Sequence, residues 1–324
     1  MQEYYLGLDL GGTKILTGLA DDKGKIITRS RRDTEAELGE DKIIKNMIKT
    51  IKDVLNKANV NKNQIRALGI GSPGPLDAQK GIIIENSNLP WKNVPLVKKI
   101  ESALGIKTLL KNDANAAALG EKWFGAGKDV DNLVYLTIST GVGGGAIINK
   151  KLFTGVNDNA CELGHTIIDP NGPLCGCGNH GCLEAFAAGT SIAKRAREAA
   201  AAGKSKKILD LADNIISDID AVICAQAAYQ GDQVAKDIFQ NAGYYLGLGL
   251  ANVINIFNTE MIILGGGVMK ASDLFLDKAL ATMKEFALAG SLELVTVKEA
   301  ELGSDIGLMG AIAVAMEARL IKND

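Results

Sequence analysis

The sequence predicts an α/β protein of two related lobes, each a mixed sheet flanked by helices, with a cleft between them. Strand-like and helix-like stretches alternate along most of the chain, which implies partly parallel sheets. A strand, glycine turn, strand pattern occurs twice, about 130 residues apart, as an internal duplication would leave it. A chain of 324 residues, 47% of them hydrophobic, carries enough apolar material for two medium cores.

In chain order, YYLGLDL, GGTK and ILTGLADDKGKIITRS read as a strand, a glycine turn and two further strands joined at a DDKG hairpin signal. Residues Asp41 to Ala58 follow helical spacing through Ile43, Ile44, Met47, Ile48, Ile51, Val54 and Leu55. The strand RALGIGS, a helix near Val94 to Leu104 and the strand KTLLKND come next. The pattern then restarts as LVYLTIST, GVGGG and AIINKKLFTG, placing Ser139 and Thr140 where Asp9 and Leu10 stand in the first copy. Helices are expected at Glu184 to Ala202 and Asp232 to Phe257, then the strand MIILGGG, a helix from Ser272, the strand LELVTVK and a last helix near Ile306 to Leu320.

Composition narrows the function. The formal charge is -2, with Lys and Glu interspersed, so no broad basic face is offered to nucleic acid or an anionic membrane. No run of 18 apolar residues occurs, and MQEYYLGLDL lacks the basic start and longer apolar stretch of a signal peptide. A cytoplasmic protein acting on small molecules is expected, and its clustered cysteines then read as metal ligands rather than disulfides.

The glycine turns suit phosphate but no common dinucleotide or P-loop scheme. GxGxxG must open a helix, whereas DLGGTK leads into another strand. The GKS at Gly203 to Ser205 has Glu198 where a P-loop needs glycine, and neither His165 nor His180 precedes the Arg-Asp of a protein kinase. What remains is a hairpin turn, Gly11 and Gly12, whose backbone N–H groups and Thr13 hydroxyl approach phosphate oxygens while Asp9 faces a hydrated Mg²⁺. The plainer reading, tight hairpins at Gly11, Gly12 and Gly143 to Gly145, is outweighed by the repetition of the turn.

CGCGNHGCLE, residues 175 to 184, holds three of the five cysteines. So glycine-rich a stretch buries little on its own, and Cys175, Cys177 and Cys182 supply three of the four N or S donors of a structural Zn²⁺. Spacing leaves His165 and His180 both open as the fourth. CGC is not the CxxC of a redox pair, and the loop lacks the basic and aromatic neighbours of a nucleic-acid zinc knuckle. Cys161 and Cys224 read as small buried apolar residues. An ordered metal loop would fix Glu162, three residues before His165, relative to Glu184, two after Cys182. Asn112 and Asp113 fall where a strand ends and a helix begins. There Asp113 is either a first-turn acid or, at the end of a strand where α/β sheets bind ligands, part of a site.

DLGGTK, STGVGGG, NDANAAALGE, ELGH and CGCGNHGCLEAFAAG, in this order, resemble the ROK family of sugar kinases and repressors, within the actin-like ATPase superfamily. The likeness spans nearly the whole chain. It implies ribonuclease H-like lobes, with residues 1–113 plus 304–324 as the smaller and 114–303 as the larger, carrying the zinc loop. It implies ATP contacts at Asp9, Gly12, Thr13, Lys14, Thr140 and Gly141, with Gly11 in the same turn and Gly265 and Gly266 near the adenosine. It also implies zinc ligation by His165, Cys175, Cys177 and Cys182, and Asp113 as catalytic base.

The implied activity is ATP-dependent phosphorylation of glucose at its 6-hydroxyl, with Mg²⁺ on the nucleotide. Gly74, Asn88, Asn112, Asp113, Glu162, His165 and Glu184 would contact the sugar, Asn86 competing with Asn88. Fructose, mannose, N-acetylglucosamine and N-acetylmannosamine are alternative substrates. A sugar-sensing repressor would need a helix-turn-helix, and only about eight residues precede Asp9, so no nucleic acid partner is expected; the interspersed charge argues against a membrane partner as well. A homo-oligomer, dimer or tetramer, is expected.

Overall fold

The computed structural model describes residues 3–86 and 88–319. The expected helix end at Leu320 and the outer ends of the expected smaller lobe, at residues 1 and 324, lie outside them. In chain order the elements are β1 (Tyr4–Leu10), β2 (Lys14–Ala20), β3 (Ile26–Asp33), α1 (Glu40–Ala58), β4 (Ile65–Ser72), β5 (Leu76–Asp77), β6 (Ile82–Glu85), β7 (Lys92–Val94), α2 (Leu96–Leu104), β8 (Thr108–Asn112) and α3 (Asp113–Phe124). Then come β9 (Leu133–Ile138), β10 (Val142–Ile148), β11 (Lys151–Phe153), α4 (Leu183–Ala187), α5 (Gly189–Ala201), α6 (Lys206–Leu211), α7 (Ala221–Tyr229) and α8 (Gln233–Phe257). Last are β12 (Met261–Gly265), α9 (Leu276–Phe286), α10 (Ala289–Leu292), β13 (Thr296–Glu299) and α11 (Ile306–Met316).

The two large sheets share one strand order, β3-β2-β1-β4-β8 and β11-β10-β9-β12-β13. The pairs β1-β2, β2-β3 and β10-β11 are antiparallel, and β4, β8, β12 and β13 add in parallel. This is the structural form of the duplication. The strand ends correct its register, however. β1 stops at Leu10 and β9 at Ile138, so Ser139 and Thr140 match Gly11 and Gly12 rather than Asp9 and Leu10. Gly143 to Gly145 are not in the turn at all but inside β10, where a side chain on Gly145 would strike the Ala114 carbonyl oxygen.

Two compact units divide the chain: Met1–Asp131, Gly145–Cys161 and Ala300–Asp324 form one, Asn132–Gly144 and Glu162–Glu299 the other. The sequence reading changes lobes at Asp113, where a new helix starts. In the structure α3 stays with the first unit because it packs along α11, Gly120 lying against Gly310. Residues 145–161 stay there too, tied by the ion pair of Lys111 with buried Asp158, 2.8 Å.

In the first unit, one face of the sheet is covered by α1 and α2. The 3.6-residue period of Ile43, Met47, Ile51 and Val54 buries these side chains with Leu6, Leu8 and Ile70, each contributing roughly 1.5–3 kcal/mol. The chain leaves α1 through Asn59 and α2 through Gly105, both in the left-handed conformation that ends helices. On the other face lies α11, buried at every residue from Leu308 to Met316. It sits this close because β4 presents Gly69, where any side chain would collide with the Ala311 carbonyl oxygen.

In the second unit the predicted helix 184–202 is two helices, α4 and α5, broken at Ala188, whose backbone is extended. The helix expected from Asp232 starts at Gln233, and Asp232 caps it by accepting from the Ala235 N–H at 2.8 Å. The strand read at LELVTVK begins only at Thr296, its first residue, Leu292, ending α10, and the helix read from Ser272 is a 3₁₀ segment, Gly267–Leu274, followed by α9. The small sheet β5-β6-β7 and the helices α6 and α7 went unread. Among the described residues no helix is long and apolar enough to cross a membrane.

Candidate functional site

In the first unit the strand register gathers the predicted residues at one end of the sheet. Asp9 on β1 pairs with Gly71 on β4, which pairs with Lys111 on β8, and Ser72 pairs with Asn112. Asp9, the loop after Ser72 and Asn112-Asp113 therefore leave the C-terminal ends of adjacent parallel strands, where such sheets bind ligands. The Asn112 side-chain oxygen caps α3, accepting from the N–H groups of Ala114 (2.9 Å) and Asn115 (3.4 Å). Its amide nitrogen faces Gly74, 3.6 Å from where a side chain there would begin.

Asp113, the first residue of α3, is solvent-accessible, and its Oδ1 accepts from the Ala114 N–H at 2.8 Å. Although water reaches it, protein surrounds it densely, and this desolvation raises its carboxyl above the ordinary aspartate range. Desolvation also pushes Asp9 up to about 6; Lys14 opposes that shift and Asp113 adds to it. Part of the crowding comes from α11, since a side chain on Gly307 would begin 2.5 Å from the Asp9 carboxylate. Two carboxylates near enough to feel each other, one accessible and one set back, suit a proton acceptor beside an anchor for a cation.

The glycine turn between β1 and β2 is closed by the Gly11 N–H donating to the Lys14 carbonyl at 3.0 Å and by the Thr34 hydroxyl donating to the Gly11 carbonyl at 2.7 Å. Thr13 and Lys14 are exposed at its tip. Asn86 and Asn88 part company. Asn86 is buried, donates to the Pro73 carbonyl at 3.2 Å and accepts from the Asn88 N–H at 2.9 Å, so it staples two loops together. Asn88 is exposed, and a side chain on Gly12 would begin 2.7 Å from its Cβ.

In the second unit, Ser139 to Gly141 make the turn between β9 and β10. Gly266 lies against the Ile138 carbonyl, and a side chain on Gly267 would begin 3.6 Å from the Ser139 hydroxyl, so the segment of Gly265 and Gly266 adjoins the start of the turn that carries Thr140 and Gly141. Behind the turn run Gly189 and Thr190, which sequence reasoning missed. Their only trace was a small-residue AGT following AFA, and it was absorbed into one long helix.

The cluster of His165, Cys175, Cys177 and Cys182 is complete, its four ligand atoms all within 4.8 Å of one another. Cys175 Sγ lies 3.7 Å from His165 Nδ1, and Cys177 Sγ 3.6 Å from Cys182 Sγ. Donors about 2.3 Å from a tetrahedral zinc are themselves roughly 3.8 Å apart, so the residues fit the ion. His180 is excluded by place: it is exposed, with its ring Nδ1 3.0 Å from the Gly172 carbonyl. Burial pushes the Cys175 thiol up to about 12 and raises Cys182, while the Asn179 backbone N–H lowers Cys177. Glu162 is exposed and opens the 3₁₀ turn Leu163–His165. Glu184 is not free as a sugar ligand alone: its Oε2 accepts from the Val142 N–H at 3.0 Å, and its Oε1 lies 3.5 Å from Cys175 Sγ.

The sequence profile of the ROK family matches residues 5–318. This chain belongs to the ROK family. A glucokinase of Thermotoga maritima is 37% identical over 313 residues, covering 96% of this chain and 97% of the relative. A putative xylose repressor of Caldicellulosiruptor is 31% identical, covering 97% of this chain and 78% of the relative. Among solved structures, a ROK family glucokinase from Streptomyces griseus in complex with glucose and AMPPNP is 33% identical, with a TM-score of 0.80 and coverage of 97% and 99%. The mixed α/β fold is shared with these ROK kinases, as the sequence implied.

Proposed function

We propose that this ROK protein is a glucokinase, transferring the γ-phosphoryl group of ATP to the 6-hydroxyl of glucose. The observation that carries the reading is the Asp113 carboxylate, accessible at the end of β8 and held above its ordinary range. With Oδ1 committed to the Ala114 N–H, Oδ2 orients the sugar hydroxyl and takes its proton. The new O–P bond forms as the bond to the β-phosphate oxygen breaks, and ADP leaves. The relatives named glucokinase support the choice of ATP and glucose.

Gly12, Thr13, Lys14, Thr140 and Gly141 contact the phosphates, with Gly11, its N–H spent on the Lys14 carbonyl, closing their turn, and Gly265 and Gly266 contact the adenosine. Asp9 would hold Mg²⁺ through water, a metal that neutralises phosphate charge. Gly74, Asn88, Asn112, Glu162, His165 and Glu184 contact the sugar. His165, Cys175, Cys177 and Cys182 would hold a structural Zn²⁺, which orders the loop carrying the last two carboxylates. The working form is a dimer or tetramer.

A second reading, a sugar-responsive regulator, is favoured by the likeness to a xylose repressor over 97% of this chain. ADP release measured with ATP and a panel of glucose, fructose, mannose and the N-acetylated amino sugars separates them. Glucose should give the highest kcat/KM. Another hexose in first place would move the specificity, and no hexose-dependent ADP would leave the regulator.

A further inference from the structure

Glu184 and Thr190 occupy one short segment, two to eight residues after the last cysteine ligand, and that segment runs behind the turn Ser139–Val142. Four hydrogen bonds join them. The Gly189 N–H donates to the Ser139 carbonyl at 2.7 Å, the Thr190 N–H to the Thr140 carbonyl at 3.4 Å, and the Thr190 hydroxyl to the same oxygen at 2.8 Å. In return the Val142 N–H donates to Glu184 Oε2 at 3.0 Å. Gly141 lets the carboxylate come this near, since any side chain there would collide with Glu184 Oε2.

We propose that Glu184 and Thr190 are positioning residues for the nucleotide, a strap that aims the turn's backbone donors at the phosphates. The reasoning is stereochemical. In a trans peptide the C=O and the following N–H point in opposite directions. Because the carbonyls of Ser139 and Thr140 are drawn back onto Gly189 and Thr190, the N–H groups of Thr140 and Gly141 are turned the other way, as a phosphate-binding turn requires. The break between α4 and α5 serves this arrangement. Ala188 is extended, and the Ser191 hydroxyl donates to the Glu184 carbonyl at 2.8 Å, so α5 starts at the turn instead of running on from α4. Glu184 thereby acts on the nucleotide turn while its other oxygen faces the Cys175 thiol.

This inference deepens the phosphotransfer reading and rests on it for the ligand, but its structural half can be tested alone. Amide exchange of Val142 reads the Glu184 bond directly. It should be protected in the wild type, lose protection about tenfold in Glu184→Ala, and keep most of it in Glu184→Gln, whose amide oxygen still accepts. Calorimetric titration with ADP reads the ligand half. Thr190→Val should weaken ADP about fivefold with glucose affinity unchanged, and Thr190→Ser, which restores the hydroxyl, should recover it. Unchanged Val142 exchange in Glu184→Ala, or wild-type ADP affinity in Thr190→Val, overturns the strap. If the wild type binds no ADP, the phosphotransfer reading falls, and the Val142 exchange still decides whether the strap exists.

Discussion

Asp9 shows at the scale of one side chain what the site costs the fold. Its carboxyl titrates near 6 in the folded protein against 3.8 for an ordinary aspartate, because burial disfavours the charge. The stability contributed by the neutral form is therefore complete below about 3.8 and lost as pH rises through about 6. Asp9→Asn, neutral at every pH, should melt higher than the wild type at pH 8, with the gap closing as pH falls to 4.5, and it should bind Mg·ADP less tightly. A melting difference that ignores pH would show that Asp9 is not strained by its charge. The residue types at the site were legible because chemistry restricts them: a carboxylate beside a glycine turn, three thiols in eight positions. The contacts were not. That Asn86 is spent on the Pro73 carbonyl, or that Glu184 reaches Val142, depends on loops meeting across 13 and 42 residues, which no local pattern records.

At the scale of elements, the apolar period announced α1 and α8, and alternation announced the hairpin strands, since each buries a face its own sequence describes. The break at Ala188 escaped because an alanine-rich stretch keeps its helical period through a single extended residue. Gly143 to Gly145 misled for the opposite reason: their composition is turn-like, yet they lie within β10, where Gly145 admits the Ala114 carbonyl. Nor did sequence reveal Glu121, a fully buried carboxylate on α3 that accepts from the N–H groups of Ala126 (2.8 Å), Leu302 (3.0 Å) and Glu301 (3.3 Å). It pins the segment through which the chain re-enters the first unit at Ala300. Glu121→Ala, which strands these donors, should cost about 2–4 kcal/mol in urea unfolding, and Glu121→Gln distinctly less. Unfolding free energy unaltered in the alanine variant would make the pin incidental.

For the whole molecule, duplication was the most legible feature, because a repeated strand, turn, strand order survives even where its register is misjudged by two residues. The limits of the units were not legible: α3 belongs to the first because Gly120 meets Gly310 on a helix nearly two hundred residues later. The repeated sheet supplies a glycine turn in each unit, and the first unit alone supplies Asp113. Phosphoryl transfer should thus hinge on that one carboxylate. Single-turnover formation of glucose 6-phosphate by wild type and Asp113→Asn, with glucose affinity measured alongside, tests this most directly. The account expects the rate to fall by about 10² or more with glucose affinity largely kept; a folded variant turning over at near the wild-type rate would contradict it.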